Sequence, residues 1–188
     1  IKIWSFSNSF DLLKQMQSNN IDFRLSNGFW TFRRHRNSVL SLDMSMEEMI
    51  KQKILEYDYV PDGGSFTFYQ GKLVLAYVDE VISLSNVVKG KFDGKSKPSR
   101  FGLSSHQTAA TIHPGFNGSI CMEISNTNEF DVSINVGSAI ASMEFVFLAQ
   151  PSTRPRNLDQ SKDWTHKRKG PFGFWLPEWD EIRKKSLH

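Results

Sequence analysis

The stretch that decides the fold is HPGFNGSICMEISN, residues 113–126, whose second half alternates apolar and polar side chains. Successive side chains of a β-strand point to opposite faces of a sheet. One face of this strand therefore carries the apolar side chains of Ile120, Met122 and Ile124. The other face carries Ser119, Cys121, Glu123 and Ser125. We expect the apolar face to lie in the core and the second face to present the Glu123 carboxylate to a pocket.

Strand-like runs of similar character lie on both sides of this stretch. Before it come SFTFYQ (65–70), KLVLAYVDEVISL (72–84) and VVKGKFDGK (87–95), and after it come FDVSINVG (130–137) and AIASMEFVFLA (139–149). Turn residues separate the runs at short intervals, which is typical of all-β barrels and sandwiches. The sequence predicts a mainly β fold, a distorted β-barrel or jelly roll, with a few short helices.

The N-terminal part of the chain contains three local signals. Apolar residues at helical spacing predict a short amphipathic helix from Ser9 to about Asn19 and Asn20. The run IDFRLSNGFWTFRR, residues 21–34, predicts a β-hairpin that turns at Asn27 and Gly28. The run SMEEMIKQKILEYD, residues 45–58, fits a helix or an irregular insertion between strands equally well.

The size and charge of the chain restrict what it can be. Its 188 residues suit a single domain, with a core of about 19–150 and a C-terminal arm of about 151–188. The net charge of +3 is too small to indicate nucleic acid by itself. No apolar run is long enough to span a bilayer, and the single cysteine favours a reducing compartment. We expect a cytoplasmic protein with neither a membrane nor a nucleic acid as its partner.

The segment KSKPSR, residues 95–100, concentrates cations and hydroxyl groups directly after a glycine. Arginine offers forked donors, lysine a point charge and serine neutral donors, and this mixture suits a polyphosphate. The residues that could contact phosphate are Lys95, Ser96, Lys97, Ser99 and Arg100. A solvated basic loop explains the same composition. The residues alone therefore leave both interpretations open.

Residues 93–126 resemble the core motif of the dCTP deaminase branch of the dCTP deaminase and dUTPase superfamily. The family's Arg-Ser-Ser-x-x-Arg-x-Gly-Leu segment is matched by KSKPSRFGL (95–103). Its Pro-Gly-aromatic-x-Gly turn, followed by a strand that bears a glutamate, is matched by HPGFNGSICME (113–123). Three shorter matches, NIDFRLSNGFW (20–30), VGSAIASMEF (136–145) and STRPRN (152–157), keep the family order. The resemblance implies a dUTPase-like fold and a homotrimer whose active sites are shared between subunits.

The resemblance also implies an activity, the hydrolysis of dCTP to dUTP and ammonia without zinc. Ser96, Arg100 and Glu123 match the catalytic residues, and Glu123 would move protons while water attacks C4 of cytosine. The chain lacks the His and Cys-x-x-Cys arrangement of the zinc deaminases. No metal is expected on protein side chains, and Mg²⁺ would arrive on the triphosphate. The implied nucleotide-binding residues are Lys95, Ser96, Lys97, Ser99, Arg100, His113, Cys121, Met122, Glu123 and Arg156.

Five of the matched positions depart from the family pattern. Lys95 and Thr111 each stand for an arginine, Lys97 stands for a serine, His113 stands for an aspartate, and Arg156 stands for a tyrosine. Three alternatives stay open as a result: a deaminase of another cytosine nucleotide, a dUTP pyrophosphatase or bifunctional enzyme, and a non-catalytic nucleotide-binding relative. In the arm, HKRK (166–169) either covers the phosphates or is solvated, and GPFGFWLPEW (170–179) is expected to pack on the body or on another subunit.

Overall fold

The structure, a computed structural model, describes residues 1–5, 7, 10–34 and 39–156. Its strands are β1 (Lys2–Trp4), β2 (Asn20–Phe32), β3 (Leu55–Tyr59), β4 (Ser65–Phe68), β5 (Leu73–Val78), β6 (Val81–Ser83), β7 (Val88–Gly94), β8 (Leu103–Ser104), β9 (Thr111–Ile112), β10 (Asn117–Gly118), β11 (Cys121–Asn126), β12 (Val132–Asn135) and β13 (Ala139–Phe147). Its helices are α1 (Leu12–Gln15), α2 (Met46–Lys51) and α3 (Ser96–Arg100). The predicted mainly β fold with a few short helices is confirmed. The predicted arm beyond residue 156, including HKRK and the aromatic segment, lies outside the described residues.

One large sheet organises the described part of the chain. Its strands follow the order β8-β11-β5-β2-β13-β7-β9, and β3 pairs with a further part of β2. Two small sheets have the orders β1-β6-β10 and β12-β4. The main core joins Phe23 and Met122 of the large sheet to Phe68 and Ile82 of the small sheets. The core therefore lies between one face of the large sheet and the two small sheets, and β11 lies inside the large sheet between β8 and β5.

The opposite face of the large sheet carries a second apolar cluster. Its buried members are Trp30, Leu55, Leu75, Tyr77 and Cys121. Met49 and Ile50, which belong to α2, pack against this cluster. The helix begins with a capping box in which Ser45 and Glu48 each accept a hydrogen bond from the other's main-chain N–H. The segment that fitted either a helix or an irregular insertion therefore contains a short helix that covers part of this face.

The predicted hairpin at Asn27 and Gly28 is wrong, because β2 continues through both residues from Asn20 to Phe32. The strand shifts its register against β5 at this point without reversing direction. A Cβ on Gly28 would lie 2.6 Å from Tyr57 Oη. The Asn27 side-chain amide donates to the carbonyl of Val60 at 2.8 Å. The Asn-Gly pair therefore serves the close packing of β3 and its following loop against β2, and it makes no turn.

The helix predicted from Ser9 onward is much shorter in the structure, where α1 covers only Leu12–Gln15. Asp11 caps its N-terminus by accepting hydrogen bonds from two main-chain N–H groups. The helix ends because Met16 is extended and bridges to Ile21. Leu13 is exposed, so the apolar spacing does not mark a buried helix face. Within the described ranges, every helix is too short and too polar to cross a membrane.

A buried ionic cluster joins α1, β2 and the turn between β5 and β6. The Glu80 side chain is fully buried, and Arg24 Nε lies 2.8 Å from its Oε1. Arg24 Nη2 also donates to Asp79 Oδ2 at 2.6 Å, and Gln15 Nε2 donates to Glu80 Oε1 at 2.8 Å. Burial raises the pKa of Glu80, although the hydrogen bonds and the charge of Arg24 act in the opposite direction. The cluster therefore contains an anion whose ionisation depends on its arginine.

Candidate functional site

The KSKPSR segment forms the junction between β7 and α3. Ser96, Lys97 and Arg100 are exposed, and their side chains form no hydrogen bond or ion pair with the described residues. Gly94 precedes them, and a Cβ there would lie 3.0 Å from Ser105 Oγ. The glycine therefore lets the start of α3 pack closely on the chain that follows it. Three of the predicted phosphate-binding side chains are consequently displayed together on one exposed helical turn.

Lys95 differs from the other cations of this segment. Its Nζ lies 2.5 Å from Asp22 Oδ2, and both side chains are largely buried, with 31% and 12% of their surfaces exposed. Sequence reasoning did not single out Asp22, although it lies in the NIDFRLSNGFW match. The alternation of β2 was the available signal, because it places Asp22 on the face opposite Phe23, which is in the core. The hydroxyl of Ser99 is engaged within the segment, since its Oγ donates to the carbonyl of Lys95 at 3.0 Å.

Glu123 lies on β11 opposite Leu75 of β5 and is half-buried. Met122 and Ile124, on the other face of the strand, are fully buried in the main core, which confirms the predicted alternation. On the face of Glu123, Cys121 is buried in the second apolar cluster. This face is therefore less polar than the small residues of the strand suggested. The carboxylate itself forms no hydrogen bond or ion pair within the described ranges.

The predicted nucleotide contacts at Cys121 and Met122 have buried side chains, with 7% and 0% of their surfaces exposed. Their main chains pair with Tyr77 and Ala76 of β5. Within a single chain, the side chain of Met122 belongs to the core and is closed to a ligand. Any contact between this residue and a nucleotide would therefore use the main chain.

A short connection joins the KSKPSR segment to the strand of Glu123. Through β8, which pairs with β11, the chain leads from α3 to His106 and Gln107. The Gln107 amide donates to the main-chain carbonyl of Glu123 at 3.2 Å. His106 Nε2 lies 3.7 Å from Asp93 Oδ1, two residues before Lys95. Sequence reasoning missed Gln107 as a connector, because no pattern pairs an amide with a carbonyl on a strand that is distant in sequence.

The structure of one chain does not bring all the predicted catalytic residues into contact. Neither Ser96 nor Arg100 forms a hydrogen bond or an ion pair with Glu123. A cleft of about 510 Å³ lies beside α3, and its lining includes Lys95, Lys97 and the whole of β12 but not Glu123. Among the described residues there is also no group of three or more His, Cys, Asp or Glu side chains that could hold a metal. The acid and the cationic helix therefore occupy neighbouring but separate places.

Two of the residues that depart from the family pattern lie at the same turn. The main-chain N–H of Arg156 donates to the carbonyl of Pro114 at 2.7 Å, directly after the exposed His113. Gly115 has a φ of +79°, and a Cβ on it would lie 2.8 Å from Pro155 Cβ. The turn therefore needs glycine both for its conformation and for this contact. The main chain of Arg156 therefore lies against the turn that follows His113.

Comparison with known proteins identifies the family. A model of the dCTP deaminase-like family matches residues 5–148. The dCTP deaminase of Buchnera aphidicola subsp. Baizongia pistaciae (strain Bp) is 34% identical over 155 residues, which are 81% of this chain and 80% of that protein. The crystal structure of 2'-deoxycytidine 5'-triphosphate deaminase from Agrobacterium tumefaciens has a TM-score of 0.59 at 18% identity and thus a similar fold. The similarity covers 77% of this chain but only 43% of the Agrobacterium chain. On these grounds, the chain belongs to the dCTP deaminase-like family.

Proposed function

We propose that this chain hydrolyses dCTP to dUTP and ammonia. Family membership and the 34% identity to a dCTP deaminase support the proposal. The observation that carries it within the chain is Glu123, a half-buried acid on β11 with no partner for its carboxylate in the described part of the chain. An acid placed in this way, beside apolar surface and on a strand that is paired with β5 at this residue, suits proton transfer better than ion pairing.

The proposed chemistry uses one water molecule and needs no oxidant. Glu123 takes a proton from water as its oxygen bonds to C4 of cytosine, and it gives that proton to the exocyclic amine. The bond between C4 and this nitrogen then breaks, which releases ammonia. The second proton of the water moves from the new hydroxyl on C4 to N3, which leaves the uracil carbonyl. Ser96 and Arg100 contribute hydroxyl and guanidinium donors that orient the acid and the ligand.

The separation of Glu123 from α3 supports a site that is completed between subunits. Within one chain, neither Ser96 nor Arg100 contacts the acid. A neighbouring copy that presents its own α3 would supply the missing donors, which agrees with the homotrimer that the resemblance implies. Lys97 would then face the phosphates and the Mg²⁺ that they carry. We also propose that the reaction takes place in the cytoplasm and without zinc.

The test is an assay of the purified protein with dCTP and Mg²⁺ that monitors ammonia and pyrophosphate together. We expect ammonia without pyrophosphate. Glu123→Gln should lower turnover at least about 100-fold while the unfolding temperature stays close to that of the parent protein. Glu129→Gln is the matched control, since Glu129 is an exposed acid beyond the end of β11, and it should keep full turnover. Turnover retained after Glu123→Gln would remove the role assigned to this acid.

A deaminase of another cytosine nucleotide is the second candidate, and the turn at Pro114 supports it. The main chain of Arg156 is hydrogen-bonded to the residue that follows His113, and these two residues stand where the family has a tyrosine and an aspartate. A panel of cytosine mono-, di- and triphosphates, in ribo and deoxy forms, separates the two candidates. Preference for a nucleotide other than dCTP would favour the second, and His113→Asp should then move the preference toward dCTP. Pyrophosphate release would instead indicate a dUTP pyrophosphatase or bifunctional enzyme. Binding of nucleotide without turnover would indicate a non-catalytic relative.

A further inference from the structure

Lys95 lies at a point where three elements of the fold meet. It is the N-cap residue of α3 and directly follows β7. Its main-chain N–H donates to the carbonyl of Ile140 on β13 at 3.2 Å. Its own carbonyl accepts the N–H of Ser99 at 3.2 Å and the Ser99 hydroxyl at 3.0 Å. The main chain of this residue is therefore fixed on both sides, and its side chain decides how the junction attaches to β2.

The ammonium group of Lys95 points to Asp22 on β2. Nζ lies 2.5 Å from Asp22 Oδ2, and only 12% of the aspartate side chain is exposed. The same oxygen accepts the Gln17 amide at 3.3 Å, and the main-chain carbonyl of Asp22 accepts the Gln15 amide at 2.8 Å. Asp22 is thus held through both its side chain and its main chain, so the lysine must adapt to it. Such a partly buried and hydrogen-bonded pair is costly to break from one side.

We propose that Lys95 anchors the KSKPSR segment and does not bind phosphate, and that Asp22 positions Ser96 and Arg100 through this lysine. The pair cancels one positive charge of the segment, which leaves Lys97 and Arg100 for an anion. Lys95 and Lys97 both line the cleft of about 510 Å³, but the ammonium group of Lys95 is held by Asp22, which is not among the lining residues. The identity of the ligand in this proposal rests on the proposed function, whereas the anchoring role of Lys95 does not depend on it.

The second oxygen of Asp22 supports this assignment. Oδ1 is buried and has no hydrogen-bond partner among the described residues. A lysine reaches one carboxylate oxygen as a point charge, whereas an arginine reaches both with its fork. The arginine that the family has at this position would therefore fill the contact that Lys95 leaves open. Lys95→Arg should keep both the unfolding temperature and the turnover, because it preserves the anchor.

The first test is a thermal-unfolding cycle of Asp22→Asn, Lys95→Met and their double variant. Each single change should lower Tm by about 3–6 °C. The double variant should be no less stable than the worse single variant, because both changes remove one interaction. Lys97→Met is the matched control, since Lys97 is an exposed cation of the same segment without a partner in the described ranges, and its Tm should not change. If the Tm loss of the double variant equalled the sum of the two single losses, the anchoring role of the Lys95–Asp22 pair would be refuted.

The second test compares dCMP, dCDP and dCTP by equilibrium binding and, for dCTP, by turnover well below the unfolding temperature. Lys97→Met should weaken binding more with each added phosphate. Asp22→Asn and Lys95→Met should weaken the three nucleotides equally and lower kcat about tenfold or more. A merely structural pair would leave kcat unchanged, and that result would refute the positioning role.

A third outcome of the same comparison would reverse the assignment. If the loss of affinity in Lys95→Met grows from dCMP to dCTP while Asp22→Asn shows no such loss, Lys95 is a phosphate ligand. If the parent protein binds none of the three nucleotides, the proposed function fails. The thermal cycle still decides the anchor in that case, because it needs no ligand.

Discussion

Arg24→Met removes the cation that Glu80 contacts in the buried ionic cluster. The change keeps an unbranched side chain of similar length, and it keeps the main-chain N–H of residue 24, which donates to Glu80 Oε2 at 3.0 Å. It removes the contact of 2.8 Å to Glu80 and the contact of 2.6 Å to Asp79. Glu80 is left fully buried with hydrogen-bond donors but without a positive charge beside it. The variant therefore measures what the charge of Arg24 contributes.

The expected cost follows from the burial of the anion. Breaking a buried ion pair from one side destabilises a protein by about 3–5 kcal/mol. The Gln15 amide and the main-chain N–H of residue 24 still solvate Glu80, so we expect the lower end, about 3 kcal/mol. For a chain of this size, such a loss lowers Tm by about 6–12 °C. Urea unfolding followed by tryptophan fluorescence measures the free energy directly.

The loss of stability in Arg24→Met should also depend on pH, and the direction of the shift in the pKa of Glu80 decides whether it grows or shrinks as the pH rises. Burial already raises this pKa, and Arg24→Met takes away the side-chain hydrogen bond and the charge that lower it, although the main-chain hydrogen bond of residue 24 remains. A carboxyl whose pKa is higher in the folded state than in the unfolded state favours folding below the unfolded pKa. That contribution is lost as the pH rises through the raised pKa. The penalty of Arg24→Met should therefore be largest near about pH 8 and smaller near about pH 5.

Two controls make the reasoning refutable. Arg33→Met removes the partner of Glu56 in an exposed pair, in which 54% and 44% of the side-chain surfaces are accessible, and it should hardly change stability. Adding Glu80→Gln to Arg24→Met removes the stranded charge and should recover part of the lost stability. An Arg24→Met penalty that is independent of pH, together with no recovery in the double variant, would show that the charge of Glu80 is not the cause.

Two further predictions concern the turn at Gly115 and the end of β11. Gly115→Ala should destabilise the protein clearly more than Gly71→Ala. Both glycines have a positive φ, but of the two only Gly115 would bring a Cβ against another residue, Pro155, at 2.8 Å. Equal losses of thermal stability in the two variants would contradict the packing argument. Asn126→Ala should lower the free energy of unfolding, measured in urea, by about 2–4 kcal/mol, because this buried amide donates to two main-chain carbonyls at 2.8 Å. Thr127→Ala, at the exposed neighbouring residue, should change this free energy little.

The fold could be predicted from the sequence where one face of a strand is apolar without interruption. The alternation around Glu123 placed Met122 and Ile124 in the core, because only that register buries them together. The Asn27-Gly28 pair misled the prediction, since glycine serves close approach as well as turns. The packing of Tyr57 over Gly28 comes from β3, which is distant in sequence. Local patterns carry no information about such a neighbour.

The candidate site could be predicted in its parts but not in its assembly. The cations of the KSKPSR segment and the acid of β11 were visible as residue types in a family order. The ion pair between Lys95 and Asp22 was not visible, because a lysine in a basic segment looks the same in the sequence whether it faces a ligand or an aspartate. The separation of Glu123 from Arg100 within one chain could not be foreseen either, since it depends on how the sheet places β11 and α3.

The position of β11 inside the large sheet limits how a ligand can be accommodated. Hydrogen bonds tie this strand to β5 along its length and to β8 at Ser125 and Asn126, and Gln107 adds a bond to the carbonyl of Glu123. The main chain that carries the acid cannot swing toward a substrate without breaking the sheet. Induced fit would therefore be one-sided: the main chain of Glu123 is the fixed reference point, and the side chains of Glu123 and of α3 have to make the adjustment.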